Sequence, residues 1–145
     1  MKRIVFLSAF LSPLRSGAEA MVEEVSVRLP DEYDVTIVTG RYSCSLKPHD
    51  VLGKRVRIIR VGLGFPIDKY LFPFLVPFTV RRLKPQIIHA VLESYAGLAL
   101  VFCRFLLPKV KRILTLQSTN TSFLLGSIHR SAHVVTAIST MLIER

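Results

Sequence analysis

At 145 residues, half of them apolar, the chain is long enough for one domain with a substantial core and too apolar to be disordered. Cys44 and Cys103 lie far apart with no C-x-x-C pair or histidine at ligand spacing, which excludes a disulfide framework and a zinc finger and reads as reduced thiols of a cytosolic protein. The net charge of +10 is uneven: residues 1–34 hold four basic and six acidic side chains and residues 35–145 sixteen and four, a balance that favours an anionic partner.

In chain order, Arg3–Ser8 predicts a first strand, followed by a turn-rich loop and a helix over Ala18–Leu29. Met21, Val22, Val25 and Leu29 give that helix one apolar face. Lys2 and Arg3 before an apolar run mimic a signal peptide, but a strand, loop and amphipathic helix make a better first β-α unit. Ser16 and Glu19 have capping-box spacing, which alone explains both residues. Gly17, lacking a Cβ, also lets backbone approach a phosphate at the positive end of the helix. Both readings stay open, and no G-x-G-x-x-G fingerprint is present.

Further strands are predicted at Asp34–Thr39 and Val56–Val61, with residues 40–54 as loop. Asp68–Leu83 reads as helical in parts, interrupted by Pro73 and Pro77. Its aromatic and basic residues fit an amphipathic segment on an anionic membrane, with Phe72, Phe74, Arg81, Arg82 and Lys84 at the surface. A core-packing helix with a basic solvent face is the alternative. No run approaches the roughly 20 apolar residues of a membrane span.

The strand Gln86–Val91 leads into "HAVLESYAG" and a helix over Ser94–Leu107, closed by Pro108. His89, Glu93, Ser94 and Tyr95 form a hydrogen-bonding cluster for a polyhydroxylated ligand; equally, Ser94 caps the helix and Tyr95 packs. The H-x-x-x-E spacing suits a metal only on a continuous helix, so no metal is expected. The strand Arg112–Leu116 opens "TLQSTNTS", residues 115–122, in which Gln117, Ser118 and their neighbours suit sugar hydroxyls or phosphate oxygens, as any polar loop would. Residues 117–131 read as loop, and His129 and His133 as packed or solvated. The last strand, His133–Ile138, ends at Ser139, the N-cap of a helix scarcely begun, so the chain is expected to be truncated.

This alternation predicts an α/β domain, a Rossmann-like doubly wound parallel sheet of about six strands. Ligands of such sheets lie beyond the carboxyl ends of the strands, which directs attention to residues 9–17, 90–95, 117–122 and 138–140. The basic charge also suits nucleic acid, but no recognition helix or stacking motif supports a nucleic-acid partner.

"SGAEAMVEEVSVRL", "DKYLFPFLVPFTVRRLKPQIIHAVLESYAGLAL", "RILTLQS" and "VVTAIS", in register, resemble the N-terminal, acceptor-side half of GT-B glycosyltransferases of family 4. The resemblance spans nearly the whole chain. It implies a single N-terminal domain over residues 1–145 of an enzyme that moves a sugar from a nucleotide-diphosphate donor to a glycan or lipid-linked acceptor, usually with retention and without a metal or other cofactor. Gly17 matches the glycine approaching the donor phosphates, Gln117 the polar position after the fifth predicted strand, and Ser139 the serine closing the sixth; His89, Glu93 and Tyr95 would line the cleft. Ser16 departs from the family by replacing a glycine, residues 118–132 are shorter than usual, and the donor-binding C-terminal domain is absent. The chain alone is therefore expected to be inactive and to need that domain or a partner chain. A non-catalytic acceptor-binding or membrane-docking subunit is the alternative. The expected location is cytoplasmic, peripheral on the inner face of the plasma membrane.

Overall fold

A computed structural model of the chain describes residues 1–14, 16–118 and 124–139. Strand β1 (Lys2–Leu7) leads through a loop to helix α1 (Gly17–Arg28) and strand β2 (Tyr33–Gly40). A short strand β3 (His49–Leu52) turns into β4 (Val56–Val61), followed by α2 (Asp68–Leu83), β5 (Ile87–Val91) and α3 (Tyr95–Leu106). Strand β6 (Lys111–Leu116), helix α4 (Leu125–Ser131) and strand β7 (Val134–Ala137) complete the described chain.

The seven strands form one sheet in the order β3-β4-β2-β1-β5-β6-β7. Every neighbouring pair is parallel except β3 and β4. The central strands are buried on both faces, which is why β1, β2 and β5 read as Val- and Ile-rich runs without polar alternation. On one face Ala18 and Val22 of α1 pack on Ile4, Phe6, Val35, Ile37 and Ile58. On the other, α2, α3 and α4 cover Val5, Leu7, Val38, Ile88 and Leu114. The two faces follow from right-handed crossovers: steps from β1 to β2 and from β5 to β6 run in opposite directions across the sheet, so their helices land on opposite sides.

Three elements differ from the sequence reading. Strand β3 lies within the segment read as loop; it pairs antiparallel to β4 through a three-residue turn in which Gly53 adopts φ +63°. Helix α2 runs unbroken through Pro73 and Pro77. Both prolines are buried together with Phe72, Val76 and Val80, so tertiary packing offsets the roughly 3 kcal/mol that an interior proline costs. A short helix, α4, stands in residues 117–131, which were also read as loop; it presents Ile128 to the core.

Both cysteines are free thiols. Burial in the core pushes the Cys103 thiol up to about 12. No described helix is long and apolar enough to cross a membrane.

Candidate functional site

The order of strands reverses between β1 and β5. The chain moves from β1 to β2 and β4 on one side, then crosses to β5 and continues outward through β6 and β7. The loops after β1 and β5 consequently diverge, leaving a crevice at the carboxyl edge of the sheet where doubly wound folds bind ligands.

One wall of this crevice is formed by residues 8–14 and Ser16, tied down at several points. The Ser8 hydroxyl donates to the Phe10 carbonyl at 2.7 Å. Ser12 donates its hydroxyl and its amide to the Glu23 carboxylate of α1, at 2.8 and 3.2 Å. From the end of β2, Tyr42 donates its hydroxyl to the Ala9 carbonyl, and its ring stacks on Phe10 at 4.9 Å. Burial, and behind it the negative charge of Asp68, hold the Tyr42 phenol well above its ordinary range, so it stays protonated. A Cβ on Gly40 would collide with the Tyr42 ring, so only glycine lets the tyrosine fold over the strand end.

Helix α1 enters from this loop through a closed capping box. Glu19 accepts the Ser16 amide at 2.7 Å, and the Ser16 hydroxyl donates to the same carboxylate. Gly17 is exposed, and a Cβ built on it meets no protein atom within 4 Å. Packing therefore does not demand the glycine. It leaves open space at the positive end of α1, so the structural cap and the capacity to receive an anion coexist.

The opposite wall begins with a backbone oddity. Leu92 adopts φ +77°, a conformation unfavourable for a leucine, and donates its amide to the Thr115 carbonyl at 3.0 Å. The turn carries Glu93 inward. Glu93 is 5 % exposed and accepts the Gln117 amide at 3.2 Å and the Ser118 hydroxyl at 3.3 Å. Gln117 in turn directs its side-chain amide to the Met21 sulfur of α1 at 3.0 Å. Glu93, Gln117 and Ser118 thus join the loops after β5 and β6, and Gln117 extends the connection to α1.

The other expected residues divide. Ser94 is exposed at the N-cap of α3 but makes no side-chain cap hydrogen bond. Tyr95, half-buried, meets Tyr70 of α2 edge-on at 5.9 Å on the rim. Ser139 is exposed beyond β7; the helix it was expected to start, and residues 119–122 of the polar loop, lie outside the described residues.

His89, expected in the cluster with Glu93, Ser94 and Tyr95, lies instead in the body of β5, set back from the strand end, and it points to a sheet face. There its ring lies tilted against Phe6 at 5.0 Å between centroids and its Nε2 hydrogen-bonds Thr115 Oγ1 at 2.7 Å, with Thr136 Oγ1 a further 2.8 Å on. Burial lowers its pKa to about 4, leaving a neutral imidazole near pH 7. Phe72 is also misplaced: it is fully buried beneath α2 and cannot meet a membrane, whereas Phe74, Arg81, Arg82 and Lys84 are exposed.

Tyr42 was missed from sequence, its only signal being an aromatic two residues after a strand-ending glycine. A concavity of about 550 Å³ opens at the edge of the sheet opposite the crevice, lined by Lys2, Gln86, Lys109 and Lys111 among others. Among the described residues, no group of three His, Cys, Asp or Glu could hold a metal ion.

The family model for Glycosyltransferase Family 4 matches residues 15–145. The chain belongs to glycosyltransferase family 4. Two structures of sucrose-phosphate synthase from Thermosynechococcus elongatus resemble this glycosyltransferase domain in fold. One aligns at TM-score 0.72 and 16 % identity over 98 % of this chain and 79 % of the other. The second aligns at TM-score 0.73 and 15 % identity over 93 % of this chain, which spans 42 % of that protein's length. No curated protein sequence matches. The fold is that of a GT-B glycosyltransferase domain, with a mostly parallel sheet flanked by helices.

Proposed function

We propose that this family 4 domain is the acceptor-side half of a retaining glycosyltransferase that uses a nucleotide-diphosphate sugar and a glycan or lipid-linked acceptor. The observation that carries the reading is Gly17, whose missing Cβ leaves unfilled space at the α1 N-terminus beside the switch-point crevice. A diphosphate in that space would meet the first free amides of α1 and the positive end of its dipole. Gln117 and Ser118 stand across the shelf, where amide and hydroxyl groups can donate to and accept from sugar hydroxyls. No step of this reading requires a metal. In this reading the crevice serves the acceptor side, so transfer needs a donor-binding domain, and the chain alone turns over no donor.

Titration with UDP, GDP and ADP and their hexose conjugates tests this directly. Binding by one nucleotide series, lost at least tenfold in Gly17→Leu at unchanged thermal stability, supports the reading. Equal binding by Gly17→Leu, or no binding by the protein extended with a donor-binding domain, counts against it. The exposed apolar surface of α2 favours a second reading, a non-catalytic docking subunit that recruits a separate donor-binding chain. Copurification of such a chain, with no nucleotide binding by this one, would select it.

A further inference from the structure

From residue 51 to residue 139 the sequence contains two carboxylates, Asp68 and Glu93, and both are buried. The exposed charges this stretch contributes to the surface are therefore all cationic; Arg55, Arg57 and Arg60 pair with Asp31, Asp34 and Asp50, while Arg81, Arg82, Lys84 and Arg104 stand exposed on α2 and α3. Within that surface lies a cluster of exposed large apolar side chains. Leu63, Phe65 and Ile67 precede α2; Tyr70, Phe74 and Phe78 follow along it; each is more than half exposed.

Helical geometry explains why the cluster is coherent. At 100° per residue, Ile67, Tyr70, Phe74, Leu75, Phe78, Arg81 and Arg82 fall within an arc of about 140°. The opposite arc carries Phe72, Val76 and Val80, which are fully buried. Phe74 meets Phe102 of α3 at 5.0 Å between ring centroids. Phe105, one turn beyond Phe102 and 73 % exposed, carries the surface onto α3 beside Arg104.

The loop ahead of α2 is held in shape. The buried Asp68 carboxylate accepts the amides of Leu63, Gly64 and Phe65 at 3.0, 2.7 and 3.1 Å. Gly62, at φ +128°, has no room for a Cβ against Asp68. These bonds fix a backbone from which Leu63 and Phe65 project outward, so their exposure is built in. An apolar patch rimmed by basic residues marks an interaction surface. With basic side chains alone at its rim, a surface bearing anionic groups at an apolar boundary complements it in both respects.

We propose that the outer face of α2, with the Asp68-held loop before it and Phe105 beside it, docks on an anionic lipid bilayer. The aromatic side chains enter the headgroup region, while Arg81, Arg82, Lys84 and Arg104 meet lipid phosphates. The Asp68-held loop and Tyr70 border the crevice rim, where Tyr70 meets Tyr95, while Phe74, Phe78, Arg81 and Arg82 run along α2 away from that edge; the proposal goes beyond the transferase reading without resting on it.

Co-sedimentation of the whole chain with vesicles tests it, using phosphatidylcholine alone and phosphatidylcholine with roughly 30 % phosphatidylglycerol. Protein that pellets without vesicles is subtracted. The chain should bind the anionic vesicles, fail to bind the neutral ones, and release as salt rises. Arg81→Gln and Arg82→Gln should each weaken binding about fivefold, and Phe74→Ser with Phe78→Ser at least tenfold. All four positions are exposed, so thermal unfolding and nucleotide binding should not change. Equal binding to neutral vesicles, no binding, or undiminished binding by the Phe74/Phe78 pair would overturn the proposal. So would a concentration-dependent dimer that ignores vesicles, which would assign the face to a second copy.

Discussion

The Glu93 carboxylate and the Gln117 amide meet at 3.2 Å across the ends of β5 and β6. One side chain thereby ties the segments that follow β5 and β6, next to the bond from the Leu92 amide to the Thr115 carbonyl. Removing that side chain leaves a half-buried amide without its acceptor, at a cost of about 2 kcal/mol. Glu93→Ala should accordingly melt roughly 6–8 °C lower in a thermal scan. Its nucleotide binding should weaken too, because Gln117 sits on the released segment. A variant with parental melting but lost binding would instead make Glu93 a ligand-contacting group.

His89 predicts a pH dependence of stability. Its folded pKa lies near 4, below the ordinary value of 6.5, because burial disfavours the charged ring. The folded state thus binds fewer protons than the unfolded one. The stabilisation is complete above about pH 6.5 and is lost as pH falls through 6.5 toward 4. Between pH 7 and pH 5 the unfolding free energy should drop by about 2 kcal/mol from this group. Denaturant titrations at both values measure the drop, and His89→Gln should remove most of it.

Asp68 anchors three amides at once. Asp68→Ala should cost about 3 kcal/mol by leaving them unpaired. Urea titration of Asp68→Ala, Gly62→Ala and the double variant should reveal non-additivity, because part of the Gly62→Ala cost is collision with the Asp68 carboxylate. The residual cost in the double variant reports the φ of +128°.

Lys84 closes α2 with φ +48°, a conformation that glycine adopts without penalty. Lys84→Gly should stabilise the fold by about 1 kcal/mol while removing one positive charge from the α2 surface. A higher melting temperature combined with weaker binding to anionic vesicles is the expected signature, and it separates the charge from the fold.

The alternation of strands and helices was readable because β1, β2, β5 and β6 are buried on both faces and carry continuous apolar runs. Strand β3 was not, because "HDVL" lies at the sheet edge, mostly exposed, and owes its pairing to β4. Helix α4 begins with Leu-Gly-Ser and has too few apolar positions to set a period. Helix α2 is apolar nearly all round, so periodicity identified an element but not its rotation. Tertiary packing chose Phe72 for the core and left Phe74 outside. In the crevice, the Ser16–Glu19 cap is local and could be read from spacing. The links from Tyr42 to Ala9, Gln117 to Met21 and His89 to Thr115 join residues 33, 96 and 26 positions apart, which only the fold brings together.

The burial of Asp68 and Glu93 has a consequence at long range. Among the described residues, exposed carboxylates, including Glu24, Asp31 and Asp50, are confined to the first 50 residues, where Asp31, Asp34 and Asp50 pair with Arg55, Arg57 and Arg60, whereas Arg81, Arg82, Lys84 and Arg104 lie exposed on the later elements. Such a separation gives the molecule an electric dipole moment as well as a net charge. An approaching anionic body therefore exerts a torque as well as a pull, turning the domain before any side chain touches. Added salt should slow that capture before it weakens the bound state, because screening acts first on the distant field.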